Sequence, residues 1–181
     1  KSSKIIEEAF KVFKFSQNNL KWVASRPELM CYPDDLVNLL GKIEKQENHE
    51  WAIDTGVDNL FTYKRTECLD PLLNALERNG SFNHLKDVAI KRAFRSGSDY
   101  GNKSIVERFH DHPAVTSDVY AAGLFNSGRE STQDTIFIVL LEEADQDDLI
   151  AVKKHRSYSF TSDEFKKAID KALPTVKPGG T

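Results

Sequence analysis

Cysteine is almost missing from this chain. Cys31 and Cys68 are the only two in 181 residues. That excludes a disulfide-dense scaffold and any four-thiolate zinc site. Glycine (9) and proline (6) are sparse, which excludes collagen-like and low-complexity chains. No apolar run approaches the roughly 18 residues of a membrane span, so no transmembrane segment is expected. Positive charge has no surplus: 25 Lys and Arg stand against 28 Asp and Glu, for a net charge of −3. Nucleic-acid binding usually draws on excess cations, so no nucleic-acid partner is expected. Gly-x-Ser-x-Gly, P-loop and Gly-x-Gly-x-x-Gly patterns do not occur, and neither cysteine has an activating neighbourhood for nucleophilic catalysis. Each cysteine is expected to be a separate small, buried or half-buried residue. Lys11, Lys14 and Lys21 interrupt the first apolar residues, so no secretory core is read there. Few cysteines and no such signal point to a reducing, cytoplasmic setting. The ends, Lys1 and the Pro-Gly-rich stretch 174–181, read as cuts through a longer protein.

What is present is enough apolar material for a core: 39% hydrophobic residues, 10% aromatic, with 11 Phe. The length suits one domain, or one domain and an appendage. Residues 4–15 carry Ile5, Ile6, Ala9, Phe10, Val12 and Phe13 at helical spacing. A short helix is expected from Leu20 to Ser25, ending before Pro27. Pro33-Asp34-Asp35 has the chemistry of a helix start. Asp54-Thr55-Gly56 predicts a turn. Asp70-Pro71 predicts a helix start with Asp as N-cap, and Asn79-Gly80 predicts its end, with Gly80 left-handed. Thr135–Leu141 is rich in β-branched residues. It would pass as a buried strand, with 149–153 as its partner, but its acidic flank and repeat register favour a helix. Thr161 to Glu164 reads as a capping box before the last helix, which Pro174 stops.

An internal repeat runs through the middle. A shift of 31 lays 88–110 over 119–141 and matches Val88 with Val119, Phe94 with Phe125, Ser96-Gly97 with Ser127-Gly128, and Ile105 with Ile136. A shift of 33 lays Leu72, Leu73 and Leu76 over Ile105, Val106 and Phe109. A helix, Ser-Gly turn, helix unit at this period is a repeat signature. The phrase from Lys103 to Val115 looks like the second helix of an ankyrin-type repeat. Tyr120-Ala121-Ala122 resembles the small-residue first helix of the next. The region 57–173 is similar to the degenerate ankyrin-like arrays of translocated effectors of intracellular bacteria. That resemblance implies a stack of α-hairpins with an extended binding surface, a protein partner rather than catalysis, no cofactor, and the host cytoplasm as setting. The expected architecture is all-α: a helical segment over 1–56, packed on α-hairpin repeats over 57–173, then a flexible tail over 174–181.

The candidate binding residues lie in the basic cluster Lys153-Lys154-His155-Arg156, followed by Ser157-Tyr158-Ser159-Phe160. Lys153, Lys154 and Arg156 beside aromatics suit an acidic peptide or, as an alternative, a phosphoinositide headgroup at a membrane surface. The acidic run Glu142, Glu143, Asp145, Asp147 and Asp148 precedes them, and the plainer expectation is that the two runs pair. A second alternative is metal chemistry. His84, followed by His110-Asp111, is similar in spacing to the first half of an HD-type phosphohydrolase. There, imidazole and carboxylate ligands hold a metal that activates water, with Asp163 or Asp170 as a final ligand. His110-Asp111-His112 at a helix end is the compact version of that idea.

Overall fold

The computed structural model describes residues 16–175. The helix read over 4–15 lies outside them, as does the tail beyond Thr175. Among the described residues, regular structure is wholly helical: eleven α-helices and four 3-10 turns. The all-α class therefore holds. The chain divides into two compact units, Lys1–Arg92 and Ala93–Thr181. The division falls inside a helix, whereas residues 56 and 57, the boundary read from sequence, are consecutive positions of another helix.

The first unit contains α1 (Gln17–Ala24), α2 (Pro27–Met30), α3 (Pro33–Leu40), α4 (Gln46–Thr62), α5 (Leu69–Arg78) and the start of α6 (Leu85–Asp99). Local chemistry sets most starts. Ser16 caps α1 by accepting from the Asn19 N–H. Pro27 and Pro33 occupy the first turns of α2 and α3, where a missing N–H costs nothing. α4 runs unbroken through Asp54-Thr55-Gly56, so the turn expected there is corrected to helix. The reason is tertiary. Gly56 faces Met30, and a Cβ at Gly56 would lie 1.9 Å from Met30 Cε. Glycine here permits a close approach of α2 and α4 rather than a turn. On the same helix, Asp54 accepts two hydrogen bonds of 2.8 Å from Arg92, a bidentate pair.

α4 ends in a Schellman motif. The Arg65 N–H donates to Leu60 O and the Lys64 N–H to Phe61 O, with Lys64 left-handed at φ 56°. The chain then enters a 3-10 turn at Thr66–Cys68 that feeds α5 directly. As a result α5 starts at Leu69, with Asp70 inside its first turn rather than at the N-cap. α5 closes at Arg78, and Gly80 opens a 3-10 turn without positive φ. The Asn79 side chain, donating to Ala75 O, closes the last turn in place of a left-handed glycine. The two cysteines, read as separate residues, form a disulfide between the end of α2 and this region, with Cα atoms 5.0 Å apart. Disulfides persist in oxidising compartments, so the reducing setting is not carried further.

The second unit holds the rest of α6, then α7 (Lys103–Phe109), α8 (Ser117–Gly128), α9 (Thr135–Glu143), α10 (Gln146–Lys154) and α11 (Asp163–Ala172). α9 is the segment that would pass as a strand. Asp134 commits it to helix by accepting from the Ile136 and Phe137 N–H groups. Ile136, Phe137 and Leu140 then share the buried face. α10 opens with a reciprocal cap: the Asp148 N–H donates to Asp145 Oδ1 and the Asp145 N–H to Asp148 Oδ2. α11 is capped by Ser162, one residue after the expected Thr161. Thr161 donates its hydroxyl to Tyr158 O instead.

The Ser-Gly dipeptides are not turns, which corrects the hairpin reading at that point. Ser96-Gly97 lies within α6 and Ser127-Gly128 at the end of α8. A Cβ at Gly97 would sit 3.3 Å from Val106 Cγ2, and one at Gly128 would sit 2.5 Å from Phe137 Cδ2. The shift of 31 that superposes Gly97 on Gly128 also superposes Val106 on Phe137. Each glycine is thus a notch in one helix that receives a side chain of the next.

A candidate anion-binding cavity in the second unit

Three elements of the second unit bring cationic side chains around one cavity of about 370 Å³. The first is the C-terminal half of α6, which carries Arg95. It is keyed to α8 at one point: Phe94 lies against Gly123, where a Cβ would meet the ring at 2.7 Å, and Ser98 donates its hydroxyl to Gly123 O. Phe94 also stacks on Tyr120, with ring centroids 5.8 Å apart. These contacts hold Arg95 on the flank of α8. The second element is the end of α8, where Arg129 is the C-cap following the Gly128 notch. The third is the connection from α10 to α11. The helix stops at His155, whose Nδ1 accepts from the Ser157 N–H at 3.1 Å. In the neutral ring that leaves Nε2 as the protonated nitrogen, a donor. Arg156, Ser157 and Ser162 follow around the wall.

The aromatic part is equally ordered. Phe125 stacks on Phe165 at 5.2 Å and contacts His155 at 4.6 Å. Phe160, in a 3-10 turn, is 90% exposed at the cavity's edge. Among the described residues, no carboxylate pairs with Arg95, Arg129 or Arg156. The Nε of Arg95 is buried and has no hydrogen-bond partner.

Of the residues singled out from sequence, Arg156 lines this cavity. Lys153 is turned to Asp170, with Nζ 2.9 Å from Oδ1, and that hydrogen bond holds its ammonium above the ordinary lysine range. Lys154 is exposed at the end of α10. The acidic run does not pair with the basic one as expected: Asp145 and Asp148 are spent on capping α10, and the partner of Lys153 comes from α11. Burial pushes Asp148 up to about 6 against the hydrogen bond from Asp145. Among the described residues no three His, Cys, Asp or Glu are grouped to hold a metal. His84 belongs to the first unit and His110 and Asp111 to the second. His84 precedes α6, His110 is the C-cap of α7, and His112 Nδ1 accepts from the Ala114 N–H in the following turn. Also among the described residues, no helix is long and apolar enough to cross a membrane.

Arg95 and Arg129 do not stand out in the sequence as site residues. A faint signal exists: Arg95 directly precedes Ser96-Gly97, and Arg129 directly follows Ser127-Gly128. No protein-family model, curated protein or solved structure matches this chain.

Proposed function

We propose that this chain is a protein-interaction module, part of a larger and effector-type protein, that takes an acidic segment of a partner at the cavity of the second unit. The carrying observation is the convergence of Arg95, Arg129 and Arg156 on one cavity with no carboxylate among its described lining residues. Guanidinium groups present donors in a fixed fork that matches anionic oxygens, and they are only weakly hydrated, so they suit such recognition better than ammonium groups. Lys154, and Lys153 once released from Asp170, extend the positive surface along the α10 end. The disulfide favours an oxidising compartment over the cytoplasm as the place of work.

Fluorescence polarisation with a labelled glutamate-rich peptide tests this. The triple variant Arg95→Gln, Arg129→Gln, Arg156→Gln should weaken binding at least about tenfold, as expected when charge-assisted hydrogen bonds of ~1.5–3 kcal/mol are lost. Raising the salt should weaken the native complex. Unchanged peptide binding by the triple variant would remove the cavity from the reading. Binding to phosphoinositide vesicles with none to the peptide would replace the protein partner by a membrane surface.

A further inference from the structure

The donors around the cavity exceed what one carboxylate can use. A carboxylate presents two oxygens and one charge. Here Arg95, Arg129, His155, Arg156, Ser157 and Ser162 line one space. An ester of a tetrahedral oxyanion presents three free oxygens and, for phosphate, up to two charges, in the geometry that arginine forks satisfy. The volume is also larger than a bare oxyanion fills. At about 370 Å³ it falls within the range of small-ligand pockets, and the additional wall is aromatic. Phe125 is held face-on against Phe165, and Phe160 stands exposed at the edge. A ring entering the cavity would meet the exposed face of Phe160.

We propose that the cavity receives an aromatic ring carrying a tetrahedral ester oxyanion, the chemistry of a phosphorylated or sulfated tyrosine in the partner segment. This rests on the protein-interaction reading and specifies its ligand. The oxyanion is met by the guanidinium groups of Arg95, Arg129 and Arg156, and the ring lies towards the exposed Phe160 at the cavity's edge.

The test uses the full chain and free probes: O-phosphotyrosine, tyrosine O-sulfate, O-phosphoserine, glutamate and inorganic phosphate. Calorimetry gives affinities, and the arginine Nε–H resonances report contact directly. One of the two aryl esters should bind at least about tenfold tighter than phosphoserine, glutamate or phosphate, with the guanidinium N–H signals of Arg95, Arg129 and Arg156 moving most. Which aryl ester is tighter identifies the source as phosphate or sulfate. Arg95→Lys should cost at least about tenfold by losing the fork while keeping the charge. Arg156→Gln, at an exposed position, should weaken binding with no change in melting temperature, and Lys103→Ala on α7 should change nothing. Equal binding of phosphoserine and phosphotyrosine would overturn the aromatic part. If glutamate-rich peptide binds through the arginines and neither aryl ester does better than glutamate, this inference fails and the interaction reading stands. If nothing binds at the cavity, both fail.

Discussion

Each unit has a place where a glycine lets two helices approach, and the neighbour differs. In the first unit Gly56 admits the end of the Met30 side chain, and a disulfide ties the same α2 to the chain beyond α4. In the second unit Gly123 and Gly128 lie under the rings of Phe94, Phe137 and Phe165, and no cross-link is present among the described residues. A thioether chain has several rotatable bonds and adapts. A ring packed among other rings has nowhere to go. The first unit therefore has a covalent tie around a forgiving contact, and the second has close steric fit without such a tie. A cavity whose arginines must stay in register belongs with the second kind of packing, because Arg95 and Arg129 sit next to the residues that make the notches.

The comparison breaks most sharply at the disulfide. It closes a loop across a sequence separation of 37, for which the chain-entropy view gives a stabilisation of about 4 kcal/mol. Cys31→Ser with Cys68→Ser should lose about that much. Amide exchange should show it: protection in α4 should fall markedly, while α8 keeps its protection. An equal loss in both helices would mean that the tie supports the whole chain and not one unit.

The glycines give the next largest contrast. Gly128→Ala should cost about 1–3 kcal/mol, the usual penalty for overpacking a filled core. Gly56→Ala should come out near zero. There the ~1 kcal/mol that alanine gains in a helix interior offsets the cost of moving the Met30 terminus. Denaturant melts of the two variants measure the difference. If Gly56→Ala proves as costly as Gly128→Ala, Met30 is as tightly confined as the rings.

The sequence signals fared differently for a physical reason. Local chemistry was legible at Pro33 with its acidic followers and in the apolar face of α9, whereas α1 begins at Gln17, three residues before the expected Leu20. Gly56, Gly97 and Gly128 were read as breaks, because propensity sees only a missing side chain. What fills the gap comes from a helix distant in sequence. The cysteine pair was hidden for the same reason, since spacing does not say whether two segments meet. Arg156 stood out because it sits in a charge run. Arg95 and Arg129 are single arginines in separate helices, and only tertiary packing brings them to Arg156.

The smallest expected effect lies at two helix ends that share one motif. α4 ends with Lys64 left-handed at φ 56°, and α6 ends with Gly101 left-handed at φ 72°. In both, the following N–H reaches back to the same position: Arg65 to Leu60 O at 2.7 Å and Asn102 to Gly97 O at 2.8 Å. Nothing lies within 4 Å of a Cβ placed on Gly101, so only backbone strain distinguishes the sites. A side chain at such a position costs roughly 1 kcal/mol, partly offset by the extra freedom that glycine has in the unfolded chain. Lys64→Gly should therefore stabilise by up to about 1 kcal/mol and Gly101→Ala should destabilise by a similar amount. Opposite signs in thermal melts would show one strain, borne in the first unit and relieved in the second. The same sign in both would mean that the lysine side chain contributes a contact that outweighs its strain.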